Sequence, residues 1–358
     1  MHTSSSCTDT KKLLVVIPDL VTGGGERVTR QLIEVLASRG YRIRLVSDVT
    51  EQMLAQLPLA SYRRLDWRHG LERFLAIAGE LLRCDRDTCV LAVLTGPIIV
   101  VGMLNVLFGR RVIGHEHSDI EQLYLSTGGT KSKLRLLALR AALHSVRRVA
   151  VVSDYLRERM PQALRCEAKK VAVVRNPVQP FLQKLSCKPS AHAANSLTAY
   201  IIGRNSEEKR HREAIELLST SPRVERIILV ARDALTLREQ LSPQANAKLL
   251  IIDCLTKIDS FNTCSSFLFS YSAVESYSLV IAEWLASGLT VLTVDNEPMR
   301  RLWQDVRGCQ FVSVLCSPAE LEMALEQSSD TNNPDLRAMF KPITAQISAD
   351  DLERLLIK

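Results

Sequence analysis

The sequence lacks the cysteine spacing that marks disulfide-bonded or zinc-binding proteins. Its nine cysteines are scattered, include no C-x-x-C pair and are odd in number, which argues against both a zinc site and a disulfide framework. Aromatic residues make up only 5% of the 358 positions, too few for a surface that stacks on bases. We therefore expect reduced thiols, and we do not expect nucleic acid as a partner.

Long apolar runs are also missing. No stretch reaches the roughly 20 apolar residues that span a bilayer, and the opening MHTSSSCTDTKK lacks the apolar core of a secretory signal. These features predict a cytoplasmic protein. The 46% apolar and 24% charged residues are typical of a soluble protein, and the net charge of +7 favours anionic partners.

Strand-like apolar runs alternate with helix-like segments along the chain, as in βαβ units. Because the runs are continuous in Val, Ile and Leu, they predict parallel strands buried on both faces. A first helix is predicted from about Glu26 to Arg39. The pattern begins again after residues 179–196, so the fold class is predicted as α/β with two Rossmann-like doubly wound domains. The predicted strands are LLVVIP, RIRLVSD, VLAVLT, RVIGHEH, RRVAVVS and KVAVVRNP, then LTAYIIG, RIILVA, AKLLIID, SFLFS, LTVLTV and CQFVSV.

The predicted domains are residues 1–180 and 190–335, joined near residue 185, with closing helices in 336–358. The last segment, ISADDLERLLIK, has apolar residues at helical spacing and a serine as its predicted N-cap. Open α/β sheets bind ligands at the carboxyl ends of their strands. We therefore expect the ligand in a cleft where the carboxyl edges of both sheets face each other.

The first predicted strand ends in PDLVTGGGERV, where Gly23, Gly24 and Gly25 open the first helix. Glycines at this point let the backbone approach a ligand closely and direct helix N-terminal amides at an anion. The full G-x-G-x-x-G dinucleotide fingerprint is missing, and the same glycines also suit a tight bend with no ligand. We favour an anion-binding turn over a bend alone.

In the second predicted domain, the first strand runs into IIGRNSEEKRH. Arg204 and Lys209 are five positions apart on this loop, so both can reach one diphosphate. They would supply without a metal the positive charge that a departing pyrophosphate needs. The alternative is a solvated charged turn, but the position at the carboxyl end of a strand favours diphosphate binding.

Two carboxylates, Glu275 and Glu283, accompany a short apolar helix that is predicted to end at Gly288. One acid can accept both hydroxyl hydrogens of a ribose and the other can hold a second sugar, because hydrogen bonds to charged acceptors are strong. Residues 276–279 add helix N-terminal amides and hydroxyl donors. The alternative for Glu283 alone is an exposed carboxylate favoured by the helix dipole.

The strand RVIGHEHSDI brings His115, Glu116 and His117 to the carboxyl edge of the first predicted sheet. Strand alternation places the two imidazoles on the same side. Because no third ligand motif accompanies them, we rank contact with a sugar hydroxyl first, packing second and metal binding third. The D-x-D string at 85–87 precedes a strand instead of following one, which predicts surface carboxylates at the amino edge.

Taken in order, these segments resemble the retaining, nucleotide-sugar-dependent glycosyltransferases of family 4, which have the two-domain GT-B fold. The resemblance covers nearly the whole chain. The matching segments are TGGGERV, GHEHS, VVSDYLRERM, VVRNPV, IIGRNSEEKR and ESYSLVIAEWLASGLTVL, the last two being the most specific.

The resemblance implies a role for each candidate residue. Arg204 and Lys209 would bind the donor diphosphate, and Glu283 the ribose diol. Glu275 would hold hydroxyls of the transferred sugar and His117 would touch that sugar beside the reacting carbon, which makes these two the catalytic candidates. The remaining donor contacts would come from Gly24, Gly25, Tyr277, Ser278 and Leu279. Neither a cofactor nor a metal is implied, since the leaving phosphate itself helps to deprotonate the acceptor.

The chain departs from the family pattern at four positions. The family usually has glycine where Ser276, Ser278 and Arg210 stand, and an acid where Gln179 stands. Side chains at 276 and 278 can change which sugar hydroxyls are recognised. Two alternatives therefore stay open, an inactive nucleotide-sugar-binding partner protein and a nucleotide-sugar epimerase of the same fold.

The expected donor is a UDP-sugar, in preference to a GDP-sugar, and the expected acceptor is a cell-envelope glycan or a lipid-linked molecule. Residues 131–148, KSKLRLLALRAALHSVRR, mix leucines with basic residues and suit the surface of an anionic membrane where lipid-linked acceptors reside. A buried helix with solvated basic ends is the alternative.

Overall fold

The structure is a computed structural model that describes residues 11–20, 23–67, 70–120, 124, 129–180, 185–186, 196–254, 258, 261–262, 265–329 and 343–357. The chain divides into two compact units. The first contains residues 1–177 together with 343–358, and the second contains residues 178–342. Each unit is built on one parallel sheet.

The sheet of the first unit has seven strands: β1 (Lys12–Val16), β2 (Arg42–Ser47), β3 (Ser61–Arg64), β4 (Cys89–Val93), β5 (Arg111–Glu116), β6 (Arg148–Val151) and β7 (Val171–Val173). Their spatial order is β3-β2-β1-β4-β5-β6-β7, and all pairs are parallel. Strand β4 is buried at every position, as expected for a central strand with helices on both faces.

In the part of this unit that the structure describes, six α-helices connect the strands: α1 (Gly24–Ser38), α2 (Glu51–Leu54), α3 (Gly70–Arg83), α4 (Thr95–Phe108), α5 (Thr130–Ser145) and α6 (Asp154–Leu164). Helix α1 buries Val28, Leu32 and Leu36, which are four residues apart and so lie on one face. Helices α4 and α5 approach closely at Gly102, where a β-carbon would lie 2.7 Å from the carbonyl oxygen of Ala142.

The second unit has six strands in its main sheet: β9 (Leu197–Ile202), β10 (Val224–Val230), β11 (Leu249–Ile252), β13 (Ser266–Ser270), β14 (Thr290–Val294) and β15 (Cys309–Val312). Their order is β11-β10-β9-β13-β14-β15, again all parallel. Two short strands, β8 (Leu185–Ser186) and β12 (Phe261–Asn262), pair separately. The core contains Leu229, Phe269 and Leu292.

The helices of the second unit follow its strands in the same alternating way. They are α7 (His211–Thr220), α8 (Pro243–Lys248), α9 (Leu279–Ala286), α10 (Glu297–Trp303) and α11 (Pro318–Ser329). Helix α9 is almost wholly buried, which explains why its sequence is apolar all round.

The last helix, α12 (Ala345–Ile357), packs on the first unit. Arg39 donates to Asp350 (2.7 Å) and Glu353 (2.9 Å), and Arg175 holds the carboxylate of Asp351 through two nitrogens. The predicted serine N-cap of this helix is wrong. Ser348 lies inside the helix, where its hydroxyl donates to the carbonyl of residue 344 (3.3 Å), a partner that a serine finds without ending a helix.

The predicted α/β class with two parallel sheets is confirmed, and all twelve predicted strands are present. One strand of the main sheets was missed. Strand β3, with the sequence SYRR, is polar because it lies at the edge of its sheet. The predicted junction at 179–196 lies mostly outside the described residues.

Candidate active site

Both main sheets have the strand order of a doubly wound fold, with a point where successive connections leave in opposite directions. In the first sheet this point lies between β1 and β4, and in the second between β9 and β13. Ligands of open α/β sheets bind at the carboxyl ends of the strands beside this point. The candidate residues predicted from the sequence follow these strands.

In the second unit, Lys209 from the turn after β9 meets Glu275 from the turn after β13. The Lys209 ammonium donates a hydrogen bond to the Glu275 carboxylate, and both side chains are mostly buried, with 21% and 13% of their surface exposed. The two turns are also joined through their backbones, because the amide of Ala273 donates to the carbonyl of Glu208 (2.8 Å). The structure therefore brings together a residue predicted to bind the diphosphate and a residue predicted to bind the sugar.

Arg204, the other residue predicted to bind the diphosphate, is exposed at the start of the same turn. The positive charges of Arg204 and Lys209 influence the pKa of Glu208. Burial tends to raise the pKa of Glu208, but a hydrogen bond from the Ser206 hydroxyl, together with these two cations, lowers it below its ordinary value. Convergence of Arg204 and Lys209 on one diphosphate stays a prediction.

Arg210 is engaged within the second unit. Its backbone is left-handed, with φ of +50°, which is the conformation that glycine adopts without strain. Its guanidinium lies 4.5 Å from the ring centre of Tyr271 and donates to the carbonyl of Val314 (3.0 Å). The tyrosine hydroxyl donates to the same carbonyl (2.8 Å). Arg210 lacks the conformational freedom of a glycine, but its side chain contacts Tyr271 and Val314, which a glycine could not do.

The start of α9 has the features of an anion-binding helix end. Ser278 precedes the helix with φ of +55°, and its hydroxyl does not occupy the first amides of the helix, which are donors without partners inside the helix itself. Leu279 is buried, and the buried ring of Tyr277 lies 5.7 Å from the ring of Trp303. Any contact of Tyr277 or Leu279 with a donor would therefore use their backbone amides, whereas Ser278 is only partly buried.

Glu283 is 2% exposed. The alternative of an exposed carboxylate on a helix surface is therefore wrong, because α9 packs against the sheet on most of its circumference. Burying a carboxylate costs free energy that hydrogen bonds or an ion pair must offset. Buried carboxylates beside a ligand-binding edge are therefore candidates for function, and Glu283 is one of them.

In the first unit, the rings of His115 and His117 lie on the same side, as strand alternation predicted, with their centres 4.2 Å apart. His115 is fully buried and burial lowers its pKa to about 4. For this residue packing is the correct interpretation and direct contact with a sugar is wrong. His117 is only partly buried, and burial and the neighbouring imidazole keep its pKa well below 6.5. Both rings are therefore neutral at neutral pH.

Gly25 in the first turn of α1 lies against His117. A β-carbon on this glycine would come within 3.1 Å of Cγ of His117 and 3.2 Å of Cδ2 of Leu94. Any larger residue would displace one of them. The glycine turn and the histidine, predicted separately from the sequence, are thus neighbours at the carboxyl edge of the first sheet.

Two residues beside His117 escaped the sequence analysis as site components. Thr95 begins α4 and its hydroxyl donates to the carboxylate of Glu116 (2.8 Å), while Leu94 has a left-handed backbone with φ of +71°. Strained non-glycine backbone often marks functional sites. No sequence pattern signals it, since leucine is common in strands.

The D-x-D string lies at the opposite edge, between α3 and β4. Asp85 is exposed and forms an ion pair with Lys12 at the start of β1, as the surface interpretation predicted. Within the residues that the structure describes, no three His, Cys, Asp or Glu side chains are grouped closely enough to hold a metal ion.

Helix α5 contains most of the basic segment 131–148. It buries Leu136, Leu139 and Leu143 but exposes Leu134 and Leu137, by 60% and 57%. The neighbouring Lys131, Lys133 and Arg135 are exposed as well. Among the helices in the described ranges, none is long and apolar enough to cross a bilayer.

The comparisons with known proteins agree with this architecture. Residues 22–180 match the family model described as Glycosyltransferase Family 4, whereas no curated protein matches the chain in sequence. HepE from Anabaena in complex with UDP-glucose has a TM-score of 0.75 at 16% identity, covering 97% of this chain and 100% of its own.

Two further solved structures are similar over almost their whole length. Sucrose-phosphate synthase from Thermosynechococcus elongatus has a TM-score of 0.74 at 15% identity, with 96% of this chain and 98% of that chain covered. The lipopolysaccharide outer core galactosyltransferase WaaB has a TM-score of 0.68 at 11% identity, with 97% and 99% covered. The fold is therefore GT-B, as predicted, and within it residues 22–180 are similar to glycosyltransferase family 4.

Proposed function

We propose that the chain is a retaining, metal-independent hexosyltransferase that uses a UDP-sugar as donor. The observation that carries this proposal is the meeting of Lys209 and Glu275 at the point of the second sheet where open α/β proteins bind ligands. A cation for a diphosphate and an acid for sugar hydroxyls are both needed there. UDP is the favoured nucleotide because similar structures hold UDP, UDP-glucose, or UDP with glucose.

Donor binding would exchange one partner of Lys209 for another. The ammonium releases Glu275 and turns to the phosphate oxygens, where Arg204 adds a second positive charge. The freed carboxylate then accepts hydrogen bonds from hydroxyls of the sugar. Amides at residues 277–279 would complete the phosphate contacts, and Glu283 would hold the two ribose hydroxyls.

In the first unit, we assign contact with the transferred sugar to His117. A neutral imidazole both donates and accepts hydrogen bonds, so it can bind a sugar hydroxyl beside the reacting carbon. Gly25 has no side chain that would occupy the space in front of the ring, and Gly24 precedes it in the same turn.

The reaction that these residues serve is substitution at the anomeric carbon on the face that the phosphate leaves. The bond from the anomeric carbon to the phosphate oxygen breaks and the acceptor oxygen bonds to the same face. The hydroxyl proton of the acceptor passes to the departing phosphate. Cationic side chains stabilise the charge that develops on the diphosphate, so the step does not depend on a metal.

We further propose that the acceptor is a lipid-linked or cell-envelope glycan reached at the inner face of an anionic membrane. The support is the exposed face of α5, where Leu134 and Leu137 lie among Lys131, Lys133 and Arg135. Residues 129–153 contain no Asp or Glu, so this helix face would not be repelled by anionic lipid.

Sugar transfer and its stereochemistry test the proposal together. The protein is incubated with UDP-, GDP- and ADP-hexoses and a panel of glycan acceptors in the presence of EDTA, and the product is examined by proton NMR. We expect transfer from a UDP-hexose with the anomeric configuration of the donor. An inverted product would contradict the retaining mechanism, and activity that EDTA abolishes would contradict metal independence.

Membrane attachment is tested by co-sedimentation with liposomes. Binding to vesicles that contain anionic lipid is expected, and it should weaken as salt rises. Replacing Leu134 and Leu137 by Ser should weaken it further, while the control Leu235→Ser, at an exposed leucine of the second unit, should not. Equal binding to neutral vesicles, or none to either, would refute the attachment.

A further inference from the structure

Glu116, the last residue of β5, has no part in the proposed chemistry and yet lies beside His117. Its side chain is 1% exposed. The Oε1 atom accepts hydrogen bonds from the backbone amides of His117 (3.0 Å) and Ser118 (3.2 Å). The Oε2 atom accepts from the hydroxyl of Thr95 (2.8 Å). The carboxylate thus joins the turn after β5 to the start of α4.

We propose that Glu116 is a positioning residue that fixes the backbone of His117 so that the imidazole is held ready for the donor sugar. This inference rests on the proposed role of His117 in sugar transfer.

The contacts around the imidazole explain why the backbone has to be fixed. The pairing of β5 with β6 ends at Glu116, so the amides of His117 and Ser118 lie beyond it. Glu116 supplies one acceptor for both. On its other side the ring meets Gly25, where a β-carbon would already be in close contact. The carboxylate holds the main chain while the glycine limits movement of the ring.

The link to α4 extends this support to the neighbouring strand. The amide of Leu94 donates to the carbonyl of His115 (2.9 Å), which continues the pairing of β4 with β5 beyond the end of β4. Leu94 then turns with φ of +71° and places Thr95 against the carboxylate. The side chain of Leu94 also contacts the position of Gly25. Three turns of one sheet edge are therefore tied together around His117.

Burying a carboxylate to accept hydrogen bonds from two interior amides costs free energy. Burial raises the pKa of Glu116 to about 7, against the three hydrogen bonds that favour its ionised form. An apolar residue would fill the same space without this cost, but it would leave the two amides without this acceptor. The choice of glutamate is explained if the geometry of the His117 backbone matters.

Two substitutions separate positioning from packing. Glu116→Gln keeps an oxygen for the two amides, whereas Glu116→Met keeps the volume but removes the acceptor. We expect Glu116→Met to lower kcat by roughly 10- to 100-fold, with the donor KM changed by no more than about twofold, because a small misplacement of a catalytic group acts mainly on turnover. Glu116→Gln should stay within about threefold of the wild type.

Glu80→Met is the matched control. Glu80 is also a buried carboxylate of the first unit, but it is paired with Arg44, Arg63 and Arg83 on and around α3. This variant should lower the melting temperature without lowering kcat. A fall in kcat that follows the melting temperature across all three variants would show that Glu116 only stabilises the fold, and would overturn the inference.

Two readouts connect the effect to His117. Hydrogen exchange measured by mass spectrometry should be at least about tenfold faster in the peptide that contains His117 and Ser118 in Glu116→Met, and nearly unchanged in Glu116→Gln. In a His117→Ala background, Glu116→Met should lower kcat no further, because a residue that acts through another has no effect once that residue is gone.

The outcomes distinguish this inference from the proposed function. If the wild type transfers no sugar, the proposed function fails, and the exchange experiment still decides whether Glu116 fixes the His117 backbone. Unchanged exchange in Glu116→Met would overturn the inference even if transfer is observed. A further loss of kcat in the double variant would also overturn it, since Glu116 would then act elsewhere.

Discussion

The ammonium of Lys209 donates a hydrogen bond to the carboxylate of Glu275, and the two residues are 66 positions apart in the chain. Their turns follow neighbouring strands of the second sheet, β9 and β13. The ion pair is mostly buried, so each group is held by the other. Under the proposed function, a diphosphate that binds here would compete with Glu275 for the lysine.

This competition predicts that the coupling between the two side chains depends on UDP. A double-mutant cycle with Lys209→Ala, Glu275→Ala and the double variant should give a coupling of about 1 kcal/mol in the free energy of unfolding, because the charges are close and partly shielded. With saturating UDP the coupling should fall towards zero. Chemical unfolding with and without UDP measures both values. A coupling that UDP leaves unchanged would show that the pair is purely structural.

Ser278 should carry backbone strain that glycine relieves. Its φ is +55°, whereas the backbone of Ser276 is not left-handed. We expect Ser278→Gly to raise the free energy of unfolding by about 1 kcal/mol, since non-glycine residues pay roughly that amount in this conformation. Urea denaturation measures it.

Ser276→Gly is the matched control for this substitution. It should lower stability, because glycine gains more conformational freedom on unfolding and relieves no strain at this position. Equal effects of the two substitutions would contradict the explanation by backbone conformation.

Gly25→Ala should lower turnover through His117. The added β-carbon would lie 3.1 Å from the imidazole and 3.2 Å from the side chain of Leu94, so one of them must move. We expect kcat to fall by roughly tenfold or more. Gly96→Ala, near the same sheet edge but with open space around its β-carbon, should be close to the wild type. Steady-state kinetics compare the two, and similar rates for both would refute the role of the close contact.

The stability of the protein should depend on pH through Glu116. Burial raises its pKa from 4.5 to about 7, so between these values the folded state holds the proton more tightly than the unfolded chain. Its contribution is fully present below about pH 4.5 and is lost as pH rises through 7. Glutamine does not titrate, so the Glu116→Gln variant lacks this pH-dependent contribution. Its stability relative to the wild type should therefore increase between about pH 5 and pH 8, by at most about 3 kcal/mol.

Urea unfolding of both proteins at the two pH values checks this prediction. Buried His115 and His211, whose pKa values are lowered to about 4, are common to both proteins and cancel in the difference. A difference in stability that stays constant with pH would contradict the raised pKa.

Much of the fold could be predicted because its signals are local. The strand β4, CVLAV, is buried on both faces. Because a strand buried on both faces needs apolar residues at every position, a continuous apolar run predicts it. Strand β3 escaped because an edge strand needs no apolar face. Ser348 misled because a hydroxyl finds a partner both at a helix start and one turn inside it.

The candidate site was predictable in part. Residue types and strand ends indicated Lys209, Glu275 and His117, because the carboxyl edge of a parallel sheet collects the turns that follow its strands. Long-range contacts were not predictable. The ion pair of Lys209 with Glu275, the contact of Gly25 with His117 and the burial of Glu283 depend on how separate turns pack, and no local pattern encodes that packing.

The central claim is that Lys209 holds the diphosphate of a UDP-sugar, and calorimetric titration with UDP tests it most directly. Binding by the wild type and by Arg212→Ala, which removes an exposed charge three residues away, is expected to be similar. Lys209→Ala should bind roughly 100-fold more weakly, as expected for the loss of a charge-assisted contact to phosphate. Undiminished UDP binding by a folded Lys209→Ala protein would contradict the account.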